Sequence, residues 1–147
     1  MFNWSAIPRP ALTLGFAGTL PFLFAALAPL DVTDRYVLSL AYGLVILCFM
    51  AGTLWGFAAH RSDAFGYAAS VIPAILAFGL LTDHVLSLGL GTITRHWLLI
   101  ALFVGLLPLD HWMQKQHLAP PWWLSLRLSI TAVVMACLIF VGLQPIP

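Results

Sequence analysis

Asp110 and Arg127 are the two ionisable residues of this chain whose positions most favour a site. Asp110 closes one long apolar run, and Arg127 lies inside the next one. Ionisable groups this close to apolar segments pair with each other or face a cavity. We favour a structural ion pair that joins the two segments. The alternative is that Arg127 holds an anionic headgroup or substrate.

Histidines could supply metal or haem ligands, but their positions do not favour such a site. All of them lie near the ends of apolar runs, whereas a buried bis-histidine haem needs two facing ligands inside a bundle. No Cys-x-x-Cys and no His-Glu-x-x-His motif occurs. We therefore expect no metal site and no cofactor. The histidines are His60, His84, His96, His111 and His117.

Catalytic groups are also scarce. The chain has no glutamate, and its aspartates fall in predicted turns rather than in a cluster of paired carboxylates. Cys48 and Cys137 lie within apolar runs, where a thiol acts as a small apolar side chain. We expect that the protein is not an enzyme.

Composition identifies the surroundings in which these residues act. Hydrophobic residues make up 62% of the 147 positions and charged residues 7%, so a water-soluble globule would have to expose its apolar area. A membrane span needs about 20 mostly apolar residues. We predict an all-α integral membrane bundle of five transmembrane helices with short loops, one domain over residues 1–147. The predicted spans are residues 11–30, 36–59, 65–81, 93–109 and 123–143.

Small residues and prolines indicate how these helices pack. Gly52 and Gly56 have the four-residue spacing that lets another helix approach closely, and Gly15 lies on a similar stripe of the first span. Pro21 and Pro73 each remove a backbone hydrogen bond, so each predicts a helix kink.

Tryptophans flank the predicted spans. Trp55 lies beside Gly52 and Gly56 in the second span, and Trp122 and Trp123 open the last span. Indole rings favour the depth between acyl chains and headgroups, so we interpret all three as interfacial anchors.

Charge gives the expected orientation and excludes one class of partner. The formal net charge of +1 and the absence of a basic cluster argue against nucleic acid. Excess basic residues mark the cytoplasmic side, so we expect the N-terminus in the cytoplasm. The residues that we assign to the N-terminal side are Arg9, Arg61, Lys115 and Arg127, against Arg35 and Arg95 on the other side.

Several motifs occur in the order typical of one family. They are residues 14–22 (LGFAGTLPF), Gly52 to Gly56 (GTLWG), residues 71–73 (VIP), and Asp110 followed by residues 121–127 (PWWLSLR). The chain resembles domain-of-unknown-function family 3429, small membrane proteins that include the mitochondrial transmembrane protein 69. The resemblance implies a bacterial inner-membrane relative with five helices, and it implies no particular activity.

Two functions remain open. A bundle with little mass outside the membrane acts through contacts within the lipid, which favours an accessory or assembly subunit of a larger inner-membrane complex, such as a respiratory one. The alternative is a binder or carrier of a lipophilic or anionic-headgroup ligand, such as a quinone, lipid or tetrapyrrole, between helices. Whichever function holds, we expect the lipid bilayer around the bundle and either a membrane-protein partner or a homo-oligomer.

Overall fold

The computed structural model describes residues 7–60 and 63–146. Within them, all regular secondary structure is helical. Arg61, part of the predicted charge asymmetry, lies outside the described residues, as do the first six residues and Pro147 of the predicted domain. The helices are α1 (Arg9–Ala17), α2 (Leu20–Leu27), α3 (Val32–Ala59), α4 (Ala64–Leu81), α5 (Asp83–Leu86), α6 (Thr92–Lys115) and α7 (Trp123–Gly142).

Five helical segments of the described chain are long and apolar enough to cross a membrane. The first combines α1 and α2, and the others are α3, α4, α6 and α7. Many large apolar side chains on these segments are exposed, as expected for a surface in contact with lipid. The predicted five-helix transmembrane bundle is confirmed.

The first crossing is divided into two helices, which corrects the expectation of one helix kinked at Pro21. Helix α1 ends at Ala17 and α2 begins at Leu20, so Pro21 lies in the first turn of α2. Proline is tolerated there because a first-turn N–H has no helical partner. The Tyr42 hydroxyl donates a 3.0 Å hydrogen bond to the carbonyl of Gly18 and so provides a partner at the break.

Helix α6 is longer than predicted. The expected span closes at residue 109, whereas the helix continues through Pro108 to Lys115. Asp110 therefore lies within a helix rather than at its end. By contrast, α4 includes Pro73 within one continuous helix, as its predicted span requires.

Helix α3 occupies the centre of the bundle and contacts α2, α4, α6 and α7. Two clusters of contacts define the ends of the bundle. Phe57 packs edge-on against Trp123 at one end, with ring centroids 5.0 Å apart, and we call this the tryptophan end. Tyr36 packs against His96 at the opposite end, with centroids 4.8 Å apart, and we call this the tyrosine end.

Candidate functional site

The structure brings Asp110 and Arg127 together near the tryptophan end. Arg127 Nε donates to Asp110 Oδ2 at 2.9 Å, and the exposed fractions of the two residues are 3% and 1%. The second carboxylate oxygen, Oδ1, accepts a 2.7 Å hydrogen bond from Trp123 Nε1. Both oxygens of this buried carboxylate therefore have a donor.

Helical spacing explains why one carboxylate meets both donors. Trp123 and Arg127 are four residues apart, so they share one face of α7. That face lies against α6, which carries Asp110. On a third helix, α3, the Met50 sulfur contacts Arg127 Nη1. A guanidinium has more N–H donors than these two contacts use.

A small cavity of about 90 Å³ lies beside Arg127. Its wall includes Gly15 and Gly18 from the divided first crossing, together with Phe22 and Met50. Helix α1 approaches α7 closely here, because a Cβ atom built on Gly15 would lie 2.6 Å from Ile130 Cδ1. The break in the first crossing thus forms one side of the cavity.

Thr131 also lines this cavity, one helical turn beyond Arg127 on α7. Its exposed fraction is 4%, and its Oγ1 atom has no hydrogen-bond partner among the described residues. A buried hydroxyl without a partner costs free energy of roughly 1–3 kcal/mol. The cavity therefore combines a guanidinium with an unsatisfied hydroxyl.

An outer groove of about 270 Å³ adjoins the cavity. The two spaces share Gly15, Met50 and Arg127 in their walls. The outer groove extends along α1 and α7 to Trp122 and Trp123. The narrow recess contains the side chains of Arg127 and Thr131 among apolar walls, and the wider groove beyond it is also largely apolar.

A second groove, of about 280 Å³, lies between α4 and α6. Its lining is entirely apolar and includes Pro73, Ile72 and Gly105. It offers no side chain that could orient a polar group, unlike the cavity beside Arg127.

Sequence reasoning missed the polar cluster at the tyrosine end. His96 is fully buried and its Nε2 lies 2.8 Å from the carbonyl oxygen of Leu138, while the Tyr36 hydroxyl donates to the carbonyl of Gly142 at 3.0 Å. The signal was the seven-residue spacing of His96, Phe103 and Asp110, which places all three on one buried face of α6. These contacts join α3, α6 and α7 and leave His96 inside the bundle rather than at its surface.

The predicted packing glycines have different surroundings. Gly15 packs against α7, but a Cβ atom on Gly52 or Gly56 would meet nothing within 4 Å. Both of these α3 glycines are exposed. No described helix of this chain packs on Gly52 or Gly56, which lie on the outer surface of α3.

Trp122 and Trp123 lie at the tryptophan end, as their position in the chain predicts. Trp123 is largely enclosed by Phe57 and Asp110, so it joins helices in addition to flanking the span. Trp55 is 51% exposed and lies 4.7 Å from Tyr67, measured between ring centroids.

Potential metal ligands are not grouped into a site within residues 7–60 and 63–146. No three histidine, cysteine or carboxylate side chains there are grouped closely enough to hold an ion. Cys48 is exposed and Cys137 is buried, and both thiols are free.

Comparison with known proteins identifies the family to which this chain belongs. A family model described as a protein of unknown function (DUF3429) matches residues 7–143. The chain belongs to this family. Its motifs, from the first crossing to the buried Asp110 and Arg127, thus fall within one family domain, and the predicted membership is confirmed.

Two relatives of this DUF3429 domain are named Transmembrane protein 69. The protein from Xenopus tropicalis is 32% identical over 142 residues, which covers 90% of this chain and 53% of the relative. The mouse protein is 31% identical, with 86% and 52% covered. The chain therefore spans about half the length of these relatives. No solved structure matches it significantly.

Proposed function

We propose that this protein is a non-catalytic accessory subunit of a larger membrane complex, held there by a transmembrane helix of a partner protein that packs on the Gly52 stripe of α3. The stripe consists of Cys48, Gly52 and Gly56, all of which are exposed. The observation that carries the proposal is the open space above both glycines.

Other glycines of the bundle support this interpretation. A Cβ atom on Gly43 would lie 2.5 Å from Leu99 Cδ2, and one on Gly66 would lie 2.7 Å from Ala58 Cβ. Glycine at these positions permits close helix approach. Glycine in a helix costs about 1 kcal/mol relative to alanine, and a helix seated on Gly52 and Gly56 would offset that cost in the same way.

The short connections support a contact within the lipid. The longest connection between successive crossings covers only residues 82–91. Most of the described surface available to another protein therefore belongs to helices at membrane depth. A partner helix that packs by close backbone approach suits such a surface.

Photocrosslinking in native membranes tests this proposal. We place p-benzoylphenylalanine at Val45, which is 63% exposed on α3 and lies seven residues before Gly52. The matched control carries the same probe at Val104, an exposed valine of α6. We expect the Val45 probe to give one adduct with a subunit of a membrane complex, and the Val104 probe to give no such adduct.

Two glycine variants test which surface of the bundle forms the crosslinked contact. Gly52→Leu should abolish the adduct, whereas Gly105→Leu, at another glycine with open space above it, should leave it unchanged. An adduct between two copies of this chain would contradict the accessory role. An adduct that persists in Gly52→Leu would also contradict it, because the partner would then bind elsewhere.

The location of the complex is part of the same proposal. We place the protein in a bacterial inner membrane with its N-terminus in the cytoplasm, following the positions of the basic residues. A respiratory or other energy-converting complex is the partner we would examine first, because the family resemblance includes a mitochondrial protein.

A further inference from the structure

We propose that the cavity beside Arg127 binds the carbonyl head of an uncharged, lipid-soluble molecule, whose hydrocarbon tail lies in the outer groove. The proposal is independent of the accessory role, because the cavity lies between α1, α2, α3, α6 and α7 rather than on the exposed Gly52 stripe. It rests on the hydroxyl of Thr131, the donors of Arg127 and the shape of the two adjoining spaces.

The polar groups of the cavity require a ligand that accepts hydrogen bonds. Arg127 can only donate, and the Thr131 hydroxyl can donate. The nearest carboxylate, Asp110, already accepts one hydrogen bond on each oxygen. The Gly18 carbonyl already accepts from Tyr42. A carbonyl oxygen between Arg127 and Thr131 could accept one hydrogen bond from each of these side chains.

Charge at the site favours an uncharged ligand. Asp110 lies 2.9 Å from Arg127 and compensates its positive charge. A second anion in this apolar surrounding would lose its hydration and would lie near the Asp110 carboxylate. A carbonyl group avoids both costs and can still accept from a guanidinium. The headgroup that fits this site is therefore a neutral hydrogen-bond acceptor.

The shapes of the recess and the outer groove favour a ligand with a small polar head and a longer apolar tail. The recess of about 90 Å³ holds the polar groups, whereas the outer groove of about 270 Å³ leads to Trp122 and Trp123. Phe22, Phe49 and Phe103 form apolar walls of the recess. Small-molecule sites combine apolar walls with a few convergent polar groups in this way.

Two natural sources share this chemistry. An isoprenoid quinone carries carbonyl oxygens on a ring that is joined to a hydrocarbon tail. A neutral acyl glyceride carries an ester carbonyl on its chain. Both present an acceptor next to apolar carbon, and the choice between them is made by experiment.

Direct binding to the purified, detergent-solubilised full chain tests the site. The probes are decyl-ubiquinone, monoolein and decane, and the bound fraction of each is measured by native mass spectrometry over a range of concentrations. We expect decane, which lacks a carbonyl, to bind at least tenfold more weakly than the better of the two carbonyl probes, because it forms no hydrogen bonds at the site.

Two variants at Thr131 separate the hydroxyl from the rest of the side chain. Thr131→Val should weaken binding of that carbonyl probe about tenfold, the effect of about one buried hydrogen bond. It should not lower the Tm, because the hydroxyl has no partner within the described protein. Thr131→Ser keeps the hydroxyl and should retain binding. Thr82→Val removes a hydroxyl that donates to the carbonyl of Phe78 in α4 and lines neither the recess nor the outer groove, so this variant should bind like the wild type.

Each outcome decides the proposal. Thr131-dependent binding of decyl-ubiquinone alone identifies a quinone-type head, and Thr131-dependent binding of monoolein alone identifies an acyl ester. Equal binding of decane and both carbonyl probes would overturn the proposal. So would binding that is unchanged in Thr131→Val, or tighter binding of oleate, an anion, than of monoolein. Failure here leaves the photocrosslink from α3 unaffected, so the two proposals fail separately.

Discussion

A buried charge is the most demanding feature of this protein at the scale of single residues. Moving one ion out of water costs several kcal/mol even after the protein relaxes. Hydrogen bonds from Arg127 Nε and Trp123 Nε1, one to each carboxylate oxygen of Asp110, offset that cost. The same side chains connect α6 to α7, so the pair specifies how these two crossings face each other.

Removal of the Arg127 guanidinium should destabilise the bundle. Arg127→Ala leaves the carboxylate of Asp110 buried without its cation, which costs about 3–5 kcal/mol. We expect a clear fall in Tm in detergent, whereas Lys115→Ala, at an exposed lysine, should change little. The double variant Asp110→Leu/Arg127→Leu should recover part of the loss. An unchanged Tm in Arg127→Ala would contradict a structural role for the ion pair.

The indole N–H of Trp123 should make its own contribution. Trp123→Phe keeps an aromatic ring against Phe57 but removes the donor to Asp110 Oδ1, and hydrogen bonds to charged groups contribute about 1.5–3 kcal/mol. We expect a lower Tm for this variant. Trp122→Phe is the control, because no described hydrogen bond involves the Trp122 indole. Equal Tm values for the two variants would show that only ring packing matters.

At the scale of helices, the divided first crossing links the fold to the cavity. Pro21 has no N–H, so the carbonyl of Ala17 loses its usual helical donor, and the chain starts a new helix at Leu20. Tyr42 on α3 then bonds the carbonyl of Gly18. Gly18, at the break, and Phe22, in the first turn of α2, both line the recess beside Arg127.

Variants at one glycine of α1 and one of α3 should distinguish packing within the bundle from a surface left free for another protein. Gly15→Leu forces a side chain into Ile130, and overpacking of this kind costs about 1–3 kcal/mol. Gly52→Leu meets open space, so the purified chain should keep its Tm. We would measure thermal unfolding of both variants in the same detergent. Destabilisation by Gly52→Leu in the isolated chain would mean that α3 packs differently from this structure.

Much of the helical architecture could be predicted from apolar run length, because each crossing must bury its own backbone hydrogen bonds. The meeting of Asp110 and Arg127 followed from the scarcity of charge in such runs. Three features depend on contacts between distant segments and were not predictable: the break at Gly18, the burial of His96 and the unpaired hydroxyl of Thr131. The continuation of α6 past Pro108 also needed the structure, because proline alone suggests a helix end.

Orientation belongs to the scale of the whole molecule. Five crossings place the two termini on opposite sides of the membrane, and basic residues favour the cytoplasm for the N-terminal side. We expect an alkaline phosphatase fusion at the C-terminus to be active in the periplasm of a bacterial host. A green fluorescent protein fusion at the same position should stay dark when exported through the Sec pathway. Bright fluorescence with inactive phosphatase would reverse the orientation.

The two proposals describe different surfaces of one bundle. The Gly52 stripe faces outward on α3, whereas the recess beside Arg127 faces inward between α1 and α7. A partner helix could therefore bind without closing the recess. Function at the scale of the molecule would then combine attachment to a complex with retention of a neutral lipid-soluble ligand.

The size of the assembly extracted gently from native membranes tests the central claim most directly. Native electrophoresis should show the wild-type chain in a band larger than two copies of itself, together with other membrane subunits. The double variant Gly52→Leu/Gly56→Leu, with an unchanged Tm, should leave that band and migrate as a single copy. A wild-type chain that migrates alone or only with itself would contradict the accessory role, as would a double variant that remains in the large band.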